Sequence, residues 1–440
     1  MKRLSLYTFT LLFLIIMGML GASCIETAPV QINPEQSIIG RTGTVTWTND
    51  KTYILGGFVY VGDGDVLTIE AGTVIKGVPG SGENASALVV ARGGKIMAEG
   101  TPNQPIIFTA LADELTRSDD LPPYARGLWG GVIICGRATI NTASGVESLE
   151  GLPSTASYGL YGGNDDADNS GVLRYVSIRH GGSEIGANNE INGLTLGAVG
   201  SGTVIDHVEV FANLDDGIEW FGGAAQASHL SVAFVGDDAF DYDEGFHGKG
   251  QFWYSQQWED AGDRAGEHDG GTEPEDGAPF AIPTIYNATY IGNGSGDRCL
   301  YFRDNAGGKY YNSVFMNFES AVKVEDLSSG EDSRARLEAG DLVLQHNIWD
   351  GFGSLTGEDF VEAYLLDAAN ANTLVNPGLV DADISDRTID PRPTMGSAAA
   401  TAEVAIPTDA FFKPVNYAGA FSVGDTWADW TYLKTSGLLK

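Results

Sequence analysis

The residues with the greatest capacity for chemistry lie between Thr203 and Gly250. Asp215-Asp216-Gly217-Ile218-Glu219-Trp220-Phe221 is followed 22 residues later by Asp237-Asp238-Ala239-Phe240-Asp241-Tyr242-Asp243. Carboxylates in such numbers suit two kinds of chemistry. They can surround a hard divalent cation such as Ca2+, which takes roughly six to eight oxygen ligands and tolerates irregular geometry. They can also act in pairs as acid and base across a glycosidic bond. A third reading needs no ligand: the aspartates bond turn amides and dissolved salt screens the remaining charge.

The elements that must position these side chains are legible nearby. Upstream of each acidic copy lies a short apolar alternation, Val204-Ile205-Asp206-His207-Val208-Glu209-Val210 and then Ser228-His229-Leu230-Ser231-Val232. A repeat of roughly 20–30 residues built from short strands indicates a parallel β-solenoid. Equivalent residues of successive coils then stack about 4.8 Å apart. The offset of 22 sets Asp215 beside Asp237, Asp216 beside Asp238, and Glu219 beside Asp241. Ile218, Trp220, Phe240 and Tyr242 face inward and Glu219, Asp241 and Asp243 outward, because the reverse would bury unpaired charge. Each stacked like-charge pair costs about 1 kcal/mol in water and roughly 3 kcal/mol at an intermediate dielectric. A bound Ca2+ is the simplest compensation, with Asp215, Asp216, Glu219, Asp237, Asp238, Asp241 and Asp243 as its expected ligands. Asp165, Asp166 and Asp168 form a second oxygen-rich stretch, either a calcium loop or a solvated turn; the Gly and Glu of an EF-hand loop are absent from it.

A catalytic reading draws on Asp216, Asp237 and Asp238 as the acids, with His247 and Arg303 as further participants. Its spacing is poor, since His247 follows Asp238 too soon to sit a full coil away. A binding reading draws on the stretch 253–283, where Trp253, Tyr254 and Trp258 are interleaved with Arg264, His268 and Asp269. A long insertion on a compact scaffold is often functional, and aromatic rings beside amides and carboxylates suit sugars. The alternative is that the tryptophans pack the loop down onto its scaffold.

The rest of the chain repeats the theme. Short β-rich runs separated by turn residues extend from Thr44 to Thr109, with no helical period between them. Leu173–Ile178 aligns with Ile205–Val210 at an offset of 32, and Tyr286–Tyr290 aligns with Tyr311–Phe315 at 25. Unequal offsets mean coils of constant girth carrying loops of different length. Asn287, Asn312 and His346 or Asn347 fall at turn positions, where Asn tolerates a left-handed backbone. Insertions are expected at 113–125, 141–171 and 253–283, a short helix at 361–369, and a segment from 401 to 440 that caps the last coil, since an open edge invites pairing.

The 440 residues carry a formal net charge of −34 and 59 glycines. That field repels nucleic acid and anionic head groups and attracts cations. Cys135 and Cys299 lie far apart with no metal-ligand spacing, and Cys135 in Val132-Ile133-Ile134-Cys135 is expected to be an inert buried thiol. Lys2-Arg3 and the apolar run 11–20 form a secretory signal, and Gly21-Ala22-Ser23-Cys24 places small residues before a cysteine. Acylation at Cys24 is the expected consequence, with a tether over 24–41; ordinary cleavage near Ser23 is the alternative.

Several phrases add a resemblance. LTIEAGTVIKG (67–77), ALVVARGGKIMAEGTPNQPIIFTA (87–110) and RGLWGGVIICGRATI (126–140) resemble the early coils of right-handed parallel β-helix proteins of the pectate-lyase-like superfamily. With GVLRYVSIRHGG (171–182), DDGIEWFGG (215–223), DEGFHGKGQF (243–252), EHDGG (267–271) and DPRPTMGS (390–397), the mature chain is similar to surface lipoproteins common in Bacteroidota. The resemblance implies an all-β, right-handed parallel β-helix over 42–400 and transfers little function, because that group has no settled activity. The expected protein is anchored by lipid to the outer membrane at the cell surface and binds a polysaccharide or other surface glycan with the help of Ca2+. A polysaccharide lyase or glycoside hydrolase is the second reading, and a structural envelope protein or adhesin the third.

Overall fold

A computed structural model of the chain describes residues 37–116, 120–149, 152, 157–186, 189–259, 261–271 and 274–440. The expected secretory signal, Cys24 and most of the expected tether lie outside the described residues. Twenty-five strands join in one parallel array, so the right-handed parallel β-helix expected from the repeats is present.

Each coil feeds three faces. The first holds Val45–Trp47, Val66–Ile69 and Lys95–Glu99, then the leading halves of four long strands, Gly171–Arg179, Val204–Phe211, Gln226–Ala233 and Lys249–Gln256. Thr284–Tyr286, Gly308–Tyr311 and Leu342–Gln345 continue it. The second face takes the trailing halves of the long strands, then Thr289–Ile291, Val314–Met316 and Ile348–Asp350. The third runs through Ala87–Val90, Val132–Cys135, Leu194–Gly197, Ile218–Phe221, Phe240–Asp243, Gly266–Asp269, Arg298–Arg303 and Ser320–Val324.

The long strands bend from the first face to the second at one residue with a left-handed backbone. Tyr175, His207, His229 and Phe252 hold φ near +49°, +55°, +56° and +59°, and Asn287, Asn312 and His346 hold the same place in later coils. Asn287 and Asn312 thus do what their type predicts, and His346 rather than Asn347 takes the third turn. Bulky residues adopt this conformation at a cost. Ring stacking offsets it here: Tyr175 lies 4.4 Å from His207, His207 4.2 Å from His229, and His229 4.9 Å from Phe252.

Alternate side chains fill the solenoid, as the pleat requires. Ile218, Trp220, Phe240 and Tyr242 are all fully buried. Trp253 is buried with them, stacked on Trp220 at 5.0 Å and on Phe240 at 4.9 Å, and its indole donates to the Ala227 carbonyl at 3.1 Å. The expectation that Trp253 and Tyr254 stand in a ligand-binding loop is therefore corrected. They belong to the strand Lys249–Gln256, Trp253 inside the solenoid and Tyr254 beneath the C-terminal segment. Trp258 is buried too, against Phe234 at 4.6 Å. The coil boundary was misplaced because an aromatic strand and an aromatic loop have the same composition.

The chain's end is also placed differently from expectation. Helix α1 (Ser333–Ala339) interrupts the last coil between the strands Ser320–Val324 and Leu342–Gln345, and α2 (Asp359–Leu366), close to the predicted 361–369, follows that coil. The last coil is covered by residues 354–373, whose backbone meets it at Ala321, Val322, His346 and Trp349. Residues 401–440 instead run back along the second face. Asn312 donates to the Ala405 carbonyl, Asn287 to that of Tyr417, and the buried Glu209 accepts from the amides of Tyr432 and Leu433 at 2.8 and 3.0 Å. This arm buries the second face beneath Phe421, Tyr432 and Leu433. No helix among the described residues is long and apolar enough to cross a membrane.

Candidate functional site: an acidic cleft on the third face

The register of the third face sets the site. Thr195, Glu219, Asp241, Glu267, Tyr301 and Lys323 stand in one outward column, one residue per coil. Phe221 and Asp243 stand beside it, and Asp269 pairs with Arg303 in the same flanking row. The stacking of Glu219 on Asp241 is the one expected from the offset of 22. Glu267, Tyr301 and Lys323 escaped notice because loops stretch the later offsets to 26 and 34 residues.

At the strand entrance the aspartates divide into two roles. Asp216 accepts the Asp238 amide at 2.9 Å, and Asp238 accepts the Arg264 amide at 2.6 Å, so each pins the turn of the next coil. Arg264 returns its guanidinium to Asp238, Asp263 and Glu267 at 3.0–3.2 Å. Predicted as a ligand-binding residue, it is an internal counter-ion. Asp215 and Asp237 pin no such amide. Among the described residues, carboxylate oxygens converge within 4.8 Å in three groups here: Asp215, Asp216 and Asp237; Asp216, Glu219 and Asp241; Asp237, Asp238 and Asp263. The second group has no cation paired with it among the described residues. Glu219 accepts from the Asn192 amide, while one Asp241 oxygen is buried with no hydrogen-bond partner.

Two of these carboxylates, Asp215 and Glu219, open onto a cleft of about 450 Å3. Asp215, Glu219, Asp243 and Glu244 line it from the coils, Glu147 and Glu190 from the flanking loops, and Tyr161 and Phe221 give it an apolar wall. Burial pushes Asp215, Asp216, Glu219, Asp237, Asp238, Asp241 and Asp243 upward, and neighbouring carboxylates add to the effect. Asp216, Glu219, Asp238 and Asp241 are raised well above the usual carboxylate range. Asp215 is raised by burial and by Asp237 to about 6, and Glu244 by burial and by Asp243 to about 7 although Tyr161 donates to it. Asp269 reaches about 7 through burial, even with Arg303 bonded to it in two places.

Other expected site residues are placed elsewhere. His268 is fully buried, its ring stacked on Tyr242 at 4.0 Å and bonded to the Tyr310 hydroxyl at 2.8 Å, so it packs the core. His247 lies beyond the far end of the strand Phe240–Asp243 from Asp237 and Asp238, 3.3 Å from Asp166. The catalytic set Asp216, Asp237, Asp238, His247 and Arg303 therefore does not converge, because Arg303 is committed to Asp269 and His247 sits at the wrong corner. Asp165, Asp166 and Asp168 accept the amides of Ala167, Thr139 and Arg137, at 3.1, 2.9 and 3.2 Å. Of the two readings of that stretch, the turn describes what these oxygens do. Cys135 and Cys299 are buried free thiols, as expected of Cys135.

A family model, that of the pectate-lyase-like β-helix domain, matches residues 40–364. The chain belongs to this family. Its matched span covers the coils and the cleft and stops within α2, so the returning arm lies beyond it. No curated protein and no solved structure gives a significant match. The family fixes the β-helix and leaves the chemistry of the cleft to be argued from its residues.

The raised acids set a pH dependence whose sign follows from linkage. An acid whose folded pKa exceeds its unfolded value, near 4, lends stability in full below that unfolded value. The contribution is lost as pH rises through the folded pKa. For Asp215 and Glu244 the loss falls between about pH 4 and their folded values of about 6 and about 7. In chelator the wild type should melt at a higher temperature at pH 5 than at pH 8, and D215N/E244Q should flatten that difference. Equal slopes for wild type and variant would remove these two groups as its source.

Proposed function

We propose that this β-helix is a glycan-binding protein whose cleft holds a divalent cation, Ca2+ foremost, between the protein and the sugar oxygens. One observation carries the reading: Asp216, Glu219 and Asp241, from two adjacent coils, bring oxygens within 4.8 Å at a point where no cation among the described residues pairs with them. Repulsion of that kind persists when something neutralises it, and an oxygen-rich, irregular cluster suits Ca2+. The same column ends in a platform for a sugar face. Tyr301 is half-buried, with the Arg298 guanidinium and the Lys323 amine 5.0 and 4.8 Å from its ring centre. Acylation at Cys24 would hold the protein on the outer membrane with this face free for a surface polysaccharide.

A glycan array read in calcium and in chelator tests this. Binding to at least one polysaccharide should depend on calcium, being lost in chelator and weakened more than tenfold in E219Q/D241N. An array with no calcium-dependent binding would overturn it. A hydrolytic or eliminative reading has one observation in its favour, the Glu244 carboxyl near 7 in the same cleft, a value suited to proton transfer near neutrality. Release of reducing ends or unsaturated products, lost in E244Q, would establish catalysis.

A further inference from the structure

We propose a second carbohydrate site, separate from the acidic cleft, where the C-terminal arm crosses the bend between the first and second faces. A cavity of about 350 Å3 lies there, within the roughly 300–1,000 Å3 of small-molecule sites. Its walls are aromatic. Tyr175 and His207 present the stacked rings of the bend, the Trp430 ring meets Tyr175 edge-on at 5.4 Å, and Trp427 stands edge-on to His207 at 6.2 Å. Its rim is polar, with Asn103 from an exposed turn and Asp429 from the arm. Trp430 is 6% exposed, yet its indole N–H has no acceptor among the described residues. A buried indole N–H normally finds a partner, and leaving it without one costs about 1–3 kcal/mol.

The chemistry selects the ligand class. Flat rings with a missing acceptor and a polar rim fit a pyranose, whose C–H face lies on the rings while its hydroxyls bond Trp430, Asn103 and Asp429. A purely apolar ligand would leave the indole N–H and the rim unmatched. A phosphorylated or carboxylated one would meet Asp429, already paired with Lys434 at 3.5 Å, in a chain of net charge −34. The site therefore takes a neutral hexose or pentose unit. Trp427 is held in place independently of any ligand, its N–H on the Ala420 carbonyl at 2.9 Å and its ring 4.9 Å from Phe421. The pocket is thus preformed and needs little ordering on binding.

The test uses the full mature chain in chelator, so that a cation-dependent cleft cannot contribute. Cellohexaose, maltohexaose and xylohexaose are titrated while tryptophan fluorescence and heat are recorded. At least one should give a saturable change. N103W, which fills the mouth from an exposed turn and leaves the core alone, should weaken that binding at least tenfold with an unchanged melting temperature. W430F keeps the ring but removes the N–H, and should weaken it several-fold. The proposal is overturned if none of the three sugars binds, if N103W binds as wild type does, or if adenosine binds and is displaced by none of the sugars. Loss of glycan binding in calcium alone, with binding retained in chelator, would count against the cleft and leave this site standing.

Discussion

Calcium should raise the melting temperature of the wild-type chain at fixed high sodium chloride, and E219Q/D241N should abolish most of that rise. A ligand that binds only the folded state at about 100 times its dissociation constant adds about 2.7 kcal/mol of stability. Glu219 and Asp241 are the acids to change, because Asp216 and Asp238 also hold turn amides. Their replacement confuses loss of a ligand with loss of a turn. In chelator the double variant should be more stable than wild type, since two raised, repelling carboxyls become neutral. A wild type that melts at the same temperature in calcium and in chelator would sink the cation. Stabilisation of the variant by the same amount in both conditions would mean that salt alone screens the ladder.

Replacing Trp253 by Ala should cost about 3–5 kcal/mol, the range for a large aromatic removed from a packed core. The side chain is fully buried, lies between Trp220 and Phe240, and donates to the Ala227 carbonyl. Phe at this position should recover much of the loss, because it restores most of the stacking area. Denaturant unfolding measures both variants. Glycan binding by the surviving folded fraction should be unchanged, since Trp253 touches neither the cleft nor the pocket at the arm. A Trp253→Ala protein of wild-type stability that no longer binds would restore this tryptophan to a ligand site and contradict its placement.

Two ladders show how far the sequence reached. Where coils follow one another at 22 residues, local pattern and long-range register coincide, so Asp215 beside Asp237 and Glu219 beside Asp241 could be read directly. The inward turn of Ile218, Trp220, Phe240 and Tyr242 followed from the period of two and the cost of burying charge. Farther along, loops of unequal length broke that coincidence, and Glu267, Tyr301 and Lys323 joined the same column unseen. Trp253, Tyr254 and His268 were misassigned for a related reason. Nothing local distinguishes an aromatic strand buried on both sides from an aromatic loop. The coil, the left-handed turns at Asn287 and Asn312, and the first two rungs of acid are legible in the chain, because each rests on interactions between close or regularly spaced residues. Folding alone reveals that Arg264 neutralises Asp238 and that Arg303 is committed to Asp269. It also laid residues 401–440 along the second face, where Glu209 receives two backbone amides from a segment more than 220 residues away. A buried carboxylate and a distant pair of unpaired amides satisfy one another only once the solenoid has brought them together, and no spacing in the chain records that meeting.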